Sequence, residues 1–281
     1  MNYLSTLNYG YRLLKSNNII SYKLDSELLL ASALNKTREI ILTNLNFTLE
    51  KKEFYKFKKL LIRRKQKEPI AYIFKKKDFW KQSFFVNKDV LIPRPETEII
   101  VEEVLKLTHE NSSKRFLDVG TGSGCLILSI IKERPNSFGT AIDICKKAIK
   151  IASYNAKMHH LDKKIKFINI NIDKFNNNKY DLIISNPPYI SNINFKRLEI
   201  NVKQFEPKIA LIAGIDGLKI IRKLIFKSKE LLKRNGKLVF EIGEHQETKI
   251  KNLLMKHRFY VNKVCRDIKS YPRVIIATKL F

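Results

Sequence analysis

Acidic residues are scarce in this chain of 281 residues: 27 aspartates and glutamates stand against 55 lysines and arginines, giving a formal charge of +28. Such a charge would suit a polyanionic partner such as DNA, RNA or a ribosomal surface. The lysines are spread along the whole length, and glycine is also scarce, with 9 residues. Compositional drift in an AT-rich genome is therefore the favoured explanation, and nucleic acid or ribosome contact stays open.

Cysteine and histidine are also few. The three cysteines, Cys125, Cys145 and Cys265, lie far apart, and no pair has the spacing of zinc ligands or of a thioredoxin motif. The five histidines form no cluster with acids or cysteines, so we expect no metal site. This use of cysteine fits a reduced setting, and we expect a cytoplasmic protein.

Long apolar runs are absent. No run approaches the roughly 18 residues that a membrane-spanning helix needs. Polar side chains interrupt the first residues throughout, unlike the apolar stretch of a signal peptide. We therefore expect neither a membrane span nor a signal peptide, and a chain of this length can form one large and one small domain.

The first 65 or so residues have helical spacing. Apolar residues recur three and four apart after Ser21, where Asp25 and Glu27 suit the dipole of a helix N-terminus. The pattern returns between Phe54 and Leu61, before a proline stops it. This region predicts a small helical bundle.

Between Ile70 and Ile92 the apolar residues no longer have helical spacing. The runs Ala71–Phe74 and Phe84–Val86 are rich in aromatic and β-branched residues and predict two strands of a hairpin, with bends near 75–77 and 81–83. The predicted domains are a helical bundle at 1–68, a β-hairpin linker at 69–95 and a larger domain at 96–281.

Helices and strands alternate after Pro95. This alternation predicts an α/β domain with a largely parallel sheet that helices cover on both faces. The last two strands can form a hairpin, which predicts an antiparallel edge strand, and Asn176–Asn178 predicts a short polar loop. The seven predicted strands are Arg115–Val119, Phe138–Ile142, Ile165–Asn169, Tyr180–Ser185, Lys237–Ile242, Tyr260–Cys265 and Arg273–Thr278.

A glycine-rich turn, Gly120-Thr121-Gly122-Ser123-Gly124, follows the first of these strands. Glycine lets a backbone approach a ligand closely, and ligands of open α/β sheets bind at the carboxyl ends of strands. The next strand leads to Asp143, near the ~20-residue spacing of an acid that holds ribose hydroxyls. The alternative is a tight turn with Asp143 as a helix N-cap. The G-x-G-x-G spacing differs from the dinucleotide fingerprint and resembles S-adenosylmethionine sites.

Asp173 lies just past the third strand of this domain. An acid or a backbone amide at that position can hold the amino group of an adenine. A capping role for Asp173 within its own loop explains the residue equally well, and both interpretations stay open.

The tetrapeptide Asn186-Pro187-Pro188-Tyr189 follows the Tyr180–Ser185 strand. An amide nitrogen is a poor nucleophile because its lone pair is delocalised into the carbonyl. The Asn186 side-chain oxygen and the Pro187 carbonyl can accept both N–H groups and aim the lone pair, while the prolines stiffen the loop. Tyr189 can stack on the planar group. Beside a nucleotide-type site, this loop predicts methyl transfer onto nitrogen.

With these motifs the chain resembles the HemK/PrmC family, the peptide chain release factor glutamine methyltransferases. The resemblance extends over nearly the whole chain. Further segments similar to the family are Val90–Glu98, Phe205–Leu211, Asp216–Leu218, Gly236–Gly243, Arg266–Ile268 and Arg273–Val274.

The resemblance implies a Rossmann-like enzyme that uses S-adenosyl-L-methionine to methylate the side-chain nitrogen N5 of the glutamine in the GGQ motif of class I release factors, in translation termination. The helical bundle would help to grip the release factor, and we expect a monomer. The implied catalytic residues are Asn186, Pro187 and Tyr189, and the glutamine would be held by Asn186, Pro187, Pro188 and Tyr189. The implied cofactor-binding residues are Gly120, Thr121, Gly122, Ser123, Gly124, Asp143, Asp173, Lys174 and Asn186.

The chain departs from the family pattern at a few positions. Lys75 and Lys81 stand where relatives usually have glycine, which bears on the geometry of the hairpin. Many relatives have an aromatic residue directly after the acid at Asp173, where this chain has Lys174.

Three other functions compete with the release-factor enzyme. A methyltransferase for a glutamine of a ribosomal protein would have a different linker from Pro93–Thr97. A nucleic-acid methyltransferase acting on adenine N6 could use the same Asn186 loop, but the chain has no large target-recognition segment for a flipped base. The intact loop also argues against a non-catalytic cofactor sensor.

Overall fold

A computed structural model describes residues 1–176 and 179–280 of the chain. The chain forms two compact units, one of Met1–Lys76 with Ile200–Phe205 and the other of Lys77–Glu199 with Glu206–Phe281. The domain boundaries at 68/69 and 95/96 stay predictions. The polar loop predicted at 176–178 falls mostly on 177 and 178, which lie outside the described residues. Within these ranges no helix has the length and apolarity to cross a membrane.

The first unit is the predicted helical bundle. Its core contains Leu7, Leu29 and Phe57, each at or below 1% exposure. Burying a side chain of this size contributes about 1.5–3 kcal/mol. Asp25 lies in the first turn of the helix Tyr22–Leu34, as predicted, but Glu27 lies beyond that turn. Both acids are buried and paired with arginines. The helices are α1 (Tyr3–Lys15), α2 (Tyr22–Leu34), α3 (Arg38–Thr43), α4 (Lys51–Lys65) and α5 (Ile70–Phe74).

The prediction of a strand at Ala71–Phe74 is wrong, because these residues lie in α5. Ile73 is 6% exposed and packs into the core of the bundle. A short apolar run has no period that separates a strand from a buried helical turn. The hairpin lies farther along, with β1 (Lys76–Phe79) and β2 (Gln82–Phe85) joined at Trp80–Lys81.

Lys75 ends α5 with φ of 55°, in the left-handed region that glycine favours. This conformation costs a residue with a Cβ roughly 1–2 kcal/mol. We therefore expect Lys75→Gly to raise the free energy of unfolding by about 1 kcal/mol. Urea unfolding followed by circular dichroism measures the change.

Lys81→Gly is the control, since Lys81 lies in the turn between β1 and β2 and is absent from the residues with positive φ. We expect this substitution to lower stability by about 0.5–1 kcal/mol through the entropy of the unfolded chain. Equal effects of the two substitutions would contradict the role of backbone strain at Lys75.

The second unit alternates helices and strands as predicted. Several short helices were not predicted. Among them, α9 (Asn192–Arg197), α10 (Ile200–Phe205) and a 3₁₀ turn at Lys208–Ala210 have no buried residue that would create an apolar period. The elements from Glu98 onward are α6 (Glu98–Lys106), β3 (Arg115–Val119), α7 (Cys125–Glu133), β4 (Phe138–Asp143), α8 (Lys146–Met158), β5 (Ile165–Asn169), β6 (Tyr180–Ser185), α9 (Asn192–Arg197), α10 (Ile200–Phe205, grouped with the first unit), α11 (Lys219–Leu231), β7 (Leu232–Glu241), α12 (Glu247–Lys256), β8 (Phe259–Arg266) and β9 (Pro272–Lys279).

The seven strands form one sheet in the order β5-β4-β3-β6-β7-β9-β8. β3 to β7 are mutually parallel, and β9 is antiparallel to both of its neighbours. The predicted seven-stranded, mostly parallel sheet is therefore confirmed. The predicted hairpin of the last two strands is also confirmed: β8 lies at the edge of the sheet and pairs antiparallel with β9, which lies between β7 and β8.

The strand order reverses between β3 and β6. From β3 the chain moves outward to β4 and β5, then returns to place β6 on the other side of β3. In open α/β sheets, ligands bind beyond the carboxyl ends of the strands at such a reversal. The turn after β3, the end of β4 and the loop after β6 therefore meet at one edge of the sheet.

Candidate active site

The turn after β3 has all three of its glycines at positive φ: 73° at Gly120, 55° at Gly122 and 84° at Gly124. A Cβ on Gly124 would lie 2.9 Å from Cδ1 of Leu128 and 3.2 Å from Cβ of Ala152. Gly124 therefore lets α7 and α8 pack closely. A Cβ on Gly120 would meet no atom within 4 Å, so this glycine faces open space.

Asp118 is a buried carboxyl group under this turn, which the sequence analysis did not single out. The Thr121 hydroxyl donates to Oδ2 of Asp118 at 2.7 Å. Burial raises the pKa of Asp118 to about 7, the Thr121 hydrogen bond lowers it, and the nearby Asp143 carboxylate raises it. Asp118 therefore holds the glycine-rich turn in place through the Thr121 side chain.

Asp143 lies at the end of β4 and joins two elements of the site. Its Oδ2 accepts from the Gly122 amide at 3.0 Å, and its Oδ1 accepts from the Cys145 amide at 2.8 Å, just before α8. The two interpretations of this residue are compatible, because the carboxylate both holds the turns and lines the cavity. Burial raises its pKa, and the two amide hydrogen bonds lower it.

A cavity of about 220 Å³ lies at this edge of the sheet. It brings together Gly120, Thr121, Gly122, Ser123, Asp143, Asn186 and Pro188 of the predicted site. Its walls include the apolar side chains of Ile144 and Ile172 and the amide of Asn171. Gly124, Asp173, Lys174, Pro187 and Tyr189 are not among the residues that line it.

Asp173 is exposed and pairs with Lys223, which does line the cavity. Lys174, its neighbour in a 3₁₀ turn at Ile172–Lys174, is exposed as well. The roles assigned to Asp173 and Lys174 stay predictions.

Asn186 is oriented by a chain of hydrogen bonds that the sequence analysis missed. Its Nδ2 donates to Oγ1 of Thr97 at 3.0 Å, and the Thr97 hydroxyl donates to Oε2 of Glu241 at 2.6 Å. Because Thr97 uses its hydrogen on the carboxylate, its oxygen must accept, and this requires the NH₂ side of Asn186 to face it. Oδ1 of Asn186 accepts no hydrogen bond from the described part of the chain.

Glu241 is buried at 2% exposure and is the centre of this network. Besides Thr97, it accepts from the Tyr189 hydroxyl at 3.0 Å through Oε1. Burial raises the pKa of Glu241, and the two hydroxyl hydrogen bonds and the charge of Arg273 lower it. Burial and the Glu241 carboxylate both raise the pKa of Tyr189, so its phenol stays a donor.

The backbone of Tyr189 is also held. Its carbonyl accepts from Nε2 of Gln246 at 3.0 Å. Gly217 packs against the same carbonyl, and a Cβ on Gly217 would lie 2.4 Å from it. The loop is therefore held through both the side chain and the main chain of Tyr189.

The segment before α6 is held to this site by Glu206. The buried Glu206 carboxylate accepts from the Ile92 amide at 3.2 Å and pairs with Arg94. Pro93 and Pro207, one residue from these contacts, both line the cavity. Thr97, Glu206, Gly217 and Glu241 all occur in segments that resemble the family, which was the signal for them in the sequence.

No group of three or more histidine, cysteine, aspartate or glutamate side chains is placed to hold a metal ion in the ranges 1–176 and 179–280. The polar side chains that line the cavity carry two carboxylates, amides, hydroxyls, two thiols and one ammonium group. This set suits the hydroxyls and amino groups of an organic ligand.

Two family models match the chain. The PrmC N-terminal domain matches residues 5–74, and the Methyltransferase small domain matches residues 96–202. The crystal structure of a methyltransferase from Pyrococcus furiosus superimposes with a TM-score of 0.51 and 15% identity, covering 80% of this chain and 98% of that one. That likeness concerns the fold alone.

Two curated relatives match nearly all of this chain but differ in how much of their own length is matched. A "Bifunctional methyltransferase" of Rickettsia bellii is 36% identical over 96% of this chain and 53% of its own length, so the chain spans about half of that relative. A "Release factor glutamine methyltransferase" of Clostridium acetobutylicum is 35% identical over 96% of both chains. With this agreement along the full length, the predicted family is confirmed: the chain belongs to the release factor glutamine methyltransferase family.

Proposed function

We propose that the chain methylates the side-chain nitrogen N5 of the glutamine in the GGQ motif of class I release factors, with S-adenosyl-L-methionine as the methyl donor. The observation that carries this proposal is the orientation of Asn186. Thr97 accepts from its NH₂ group and leaves Oδ1 as an acceptor without a partner among the described residues, and Asn186 lines the cavity. Membership of the family supports the choice of substrate.

The cavity residues fit the methyl donor. Gly120 leaves open space where a ligand can approach the turn, and Asp143 offers carboxylate oxygens to ribose hydroxyls. Ile144 and Ile172 provide apolar walls for a flat base, with the Asn171 amide beside them. When bound, S-adenosyl-L-methionine supplies a methyl group activated by a sulfonium.

The Asn186 loop would act on the other reactant, the amide of the glutamine. Oδ1 of Asn186 and the carbonyl of Pro187 would accept its two N–H groups, and neither oxygen accepts a hydrogen bond from the described residues. Holding both hydrogens fixes the plane of the amide and the direction of the nitrogen lone pair. Tyr189, tied to Glu241, would offer a ring of fixed orientation against the planar group.

Asp143→Ala is expected to raise the Kd for S-adenosyl-L-methionine by about 10- to 100-fold. The substitution removes acceptors for two ribose hydroxyls, each worth about 0.5–1.5 kcal/mol, and also releases the Gly122 amide. Isothermal titration calorimetry measures the affinity directly.

Asp173→Ala provides the comparison for that titration. Asp173 is exposed and is not among the residues that line the cavity. A weakened affinity in this variant would support its predicted contact with the adenine, and an unchanged affinity would remove that role. An unchanged affinity in Asp143→Ala would mean that the ribose is held elsewhere.

Methyl transfer from labelled S-adenosyl-L-methionine tests the substrate. Purified unmethylated release factor, ribosomal protein and bulk nucleic acid are offered in parallel. Label in the release factor supports the proposal. Label only in nucleic acid or only in ribosomal protein would overturn it. A cytoplasmic location and a monomeric state stay predictions.

A further inference from the structure

Positive charge within residues 1–76 is concentrated in one segment. Residues 1–50 hold five lysines and arginines and four acids, whereas residues 51–76 hold eleven lysines and arginines and two acids. Most of this charge lies on α4, which has Glu53 as its one acidic residue. The basic residues of α4 are Lys51, Lys52, Lys56, Lys58, Lys59, Arg63, Arg64 and Lys65.

Three of these eight residues form ion pairs. Lys52 pairs with Glu50 at 2.9 Å, Arg63 with Glu68 at 2.6 Å and Arg64 with Asp25 at 2.7 Å. The other five are exposed and have no ion pair with a described acidic residue. These unpaired lysines are Lys51, Lys56, Lys58, Lys59 and Lys65.

Three of the five unpaired lysines lie along one side of the helix. Lys51, Tyr55, Lys58, Ile62 and Lys65 are spaced four, three, four and three apart, which places them in one stripe along the axis. We call these five residues the α4 stripe. At 1.5 Å per residue it is about 21 Å long. The buried side chains of α4 lie on another side of the helix.

An exposed aromatic ring lies inside the α4 stripe. Tyr55 is 60% exposed, and Nζ of Lys59 lies 4.6 Å from the centre of its ring. A ring with an ammonium group over one face can stack its other face on a base while neighbouring ammonium groups neutralise phosphates. An acidic peptide would use the lysines and leave the ring unused.

Basic helices elsewhere in the chain differ from α4. On α11, three basic residues are paired with acids: Arg222 with Asp216, Lys223 with Asp173, and Lys227 with Glu230. On α8, the exposed Tyr154 packs its ring against Phe85 with centroids 5.2 Å apart. Tyr55 has no ring–ring contact with the described residues, so the combination of unpaired lysines and a ring without an aromatic partner distinguishes α4 from these two helices.

We propose that the α4 stripe binds a single-stranded polynucleotide, with lysines on the phosphates and Tyr55 stacked on a base. This function stands apart from methyl transfer and does not depend on it. The stripe length matches a few nucleotides, because phosphates of an extended strand lie several ångströms apart. Binding of this kind weakens steeply as the salt concentration rises.

The test compares two triple substitutions in the full chain. One variant carries Lys51→Gln, Lys58→Gln and Lys65→Gln, and the matched control carries Lys150→Gln, Lys157→Gln and Lys163→Gln on exposed positions of the second unit. Both lower the net charge by the same amount. Fluorescence anisotropy with labelled oligouridine and oligodeoxythymidine of about 12 nucleotides reports the Kd.

In the α4 variant, the affinity for either probe should fall by about tenfold or more. The slope of the logarithm of the binding constant against the logarithm of the salt concentration should become shallower by about two. The control should stay within about twofold of the unsubstituted chain. Tyr55→Ala should weaken binding by about tenfold with the salt slope unchanged. Circular dichroism confirms that each variant is folded.

Equal loss in both triple variants would overturn the proposal, because the charge would then act as a diffuse surface property. Unchanged binding in the α4 variant or in Tyr55→Ala would also overturn it. Preference for poly-glutamate over both oligonucleotides would assign the stripe to an acidic protein instead.

Discussion

Asn186→Ala should lower kcat by about a thousandfold while S-adenosyl-L-methionine binds with nearly unchanged affinity. Loss of one preorganised contact to a reacting group costs about 10²–10³ in rate, and loss of orientation adds to it. The effect falls on kcat because the acceptor oxygen matters most when the nitrogen must present its lone pair. Single-turnover methylation and calorimetric titration measure the two quantities separately.

Asn252→Ala is the control for this substitution. Asn252 is exposed on α12 and does not line the cavity, so both quantities should be unchanged. If Asn186→Ala retained the kcat of the unsubstituted chain, the loop would have no part in activating the amide. If it lost cofactor affinity as well, Asn186 would act mainly in holding the methyl donor.

Thr97→Val should lower kcat by about 10- to 100-fold, although Thr97 lies outside the predicted catalytic loop. Valine keeps the shape of threonine but removes the hydroxyl that accepts from Asn186 and donates to Glu241. The Asn186 amide is then free to rotate, and the buried Glu241 carboxylate loses a donor, which costs about 1–3 kcal/mol of stability. Methylation rates and urea unfolding measure these effects.

Thr97→Ser separates orientation from packing. Serine keeps the hydroxyl and removes a methyl group, so kcat should recover to within a few-fold of the unsubstituted chain. A serine variant as slow as the valine variant would show that packing, and not the hydrogen bonds, explains the effect. Normal activity in Thr97→Val would show that Asn186 needs no orienting partner.

Two of the parallel strands, β3 and β6, could be predicted closely because they are buried along nearly their whole length. β3, β5 and β6 have the predicted limits, and their apolar runs differ clearly from the turns around them. The glycine-rich turn was equally clear, since its positive φ angles require glycine at three positions. The apolar runs and the glycine positions are local properties of the chain, so both can be recognised from the sequence.

Features that depend on distant contacts could not be predicted. The insertion of β9 between β7 and β8 follows from pairing across the sheet, and no local pattern encodes it. The hydrogen bond of Thr97 to Glu241 joins residues 144 apart in the chain. Helix α5 was mistaken for a strand because five apolar residues satisfy both periods.

Tandem mass spectrometry of a release factor after incubation with the protein and S-adenosyl-L-methionine is the most direct test of the proposed activity. We predict one methyl group on the side-chain nitrogen of the GGQ glutamine, and about a thousandfold slower methylation when the protein carries Asn186→Ala. A release factor in which that glutamine is replaced by glutamate should stay unmodified. A methyl group at another residue, or an unmodified release factor beside methylated nucleic acid, would contradict the proposal.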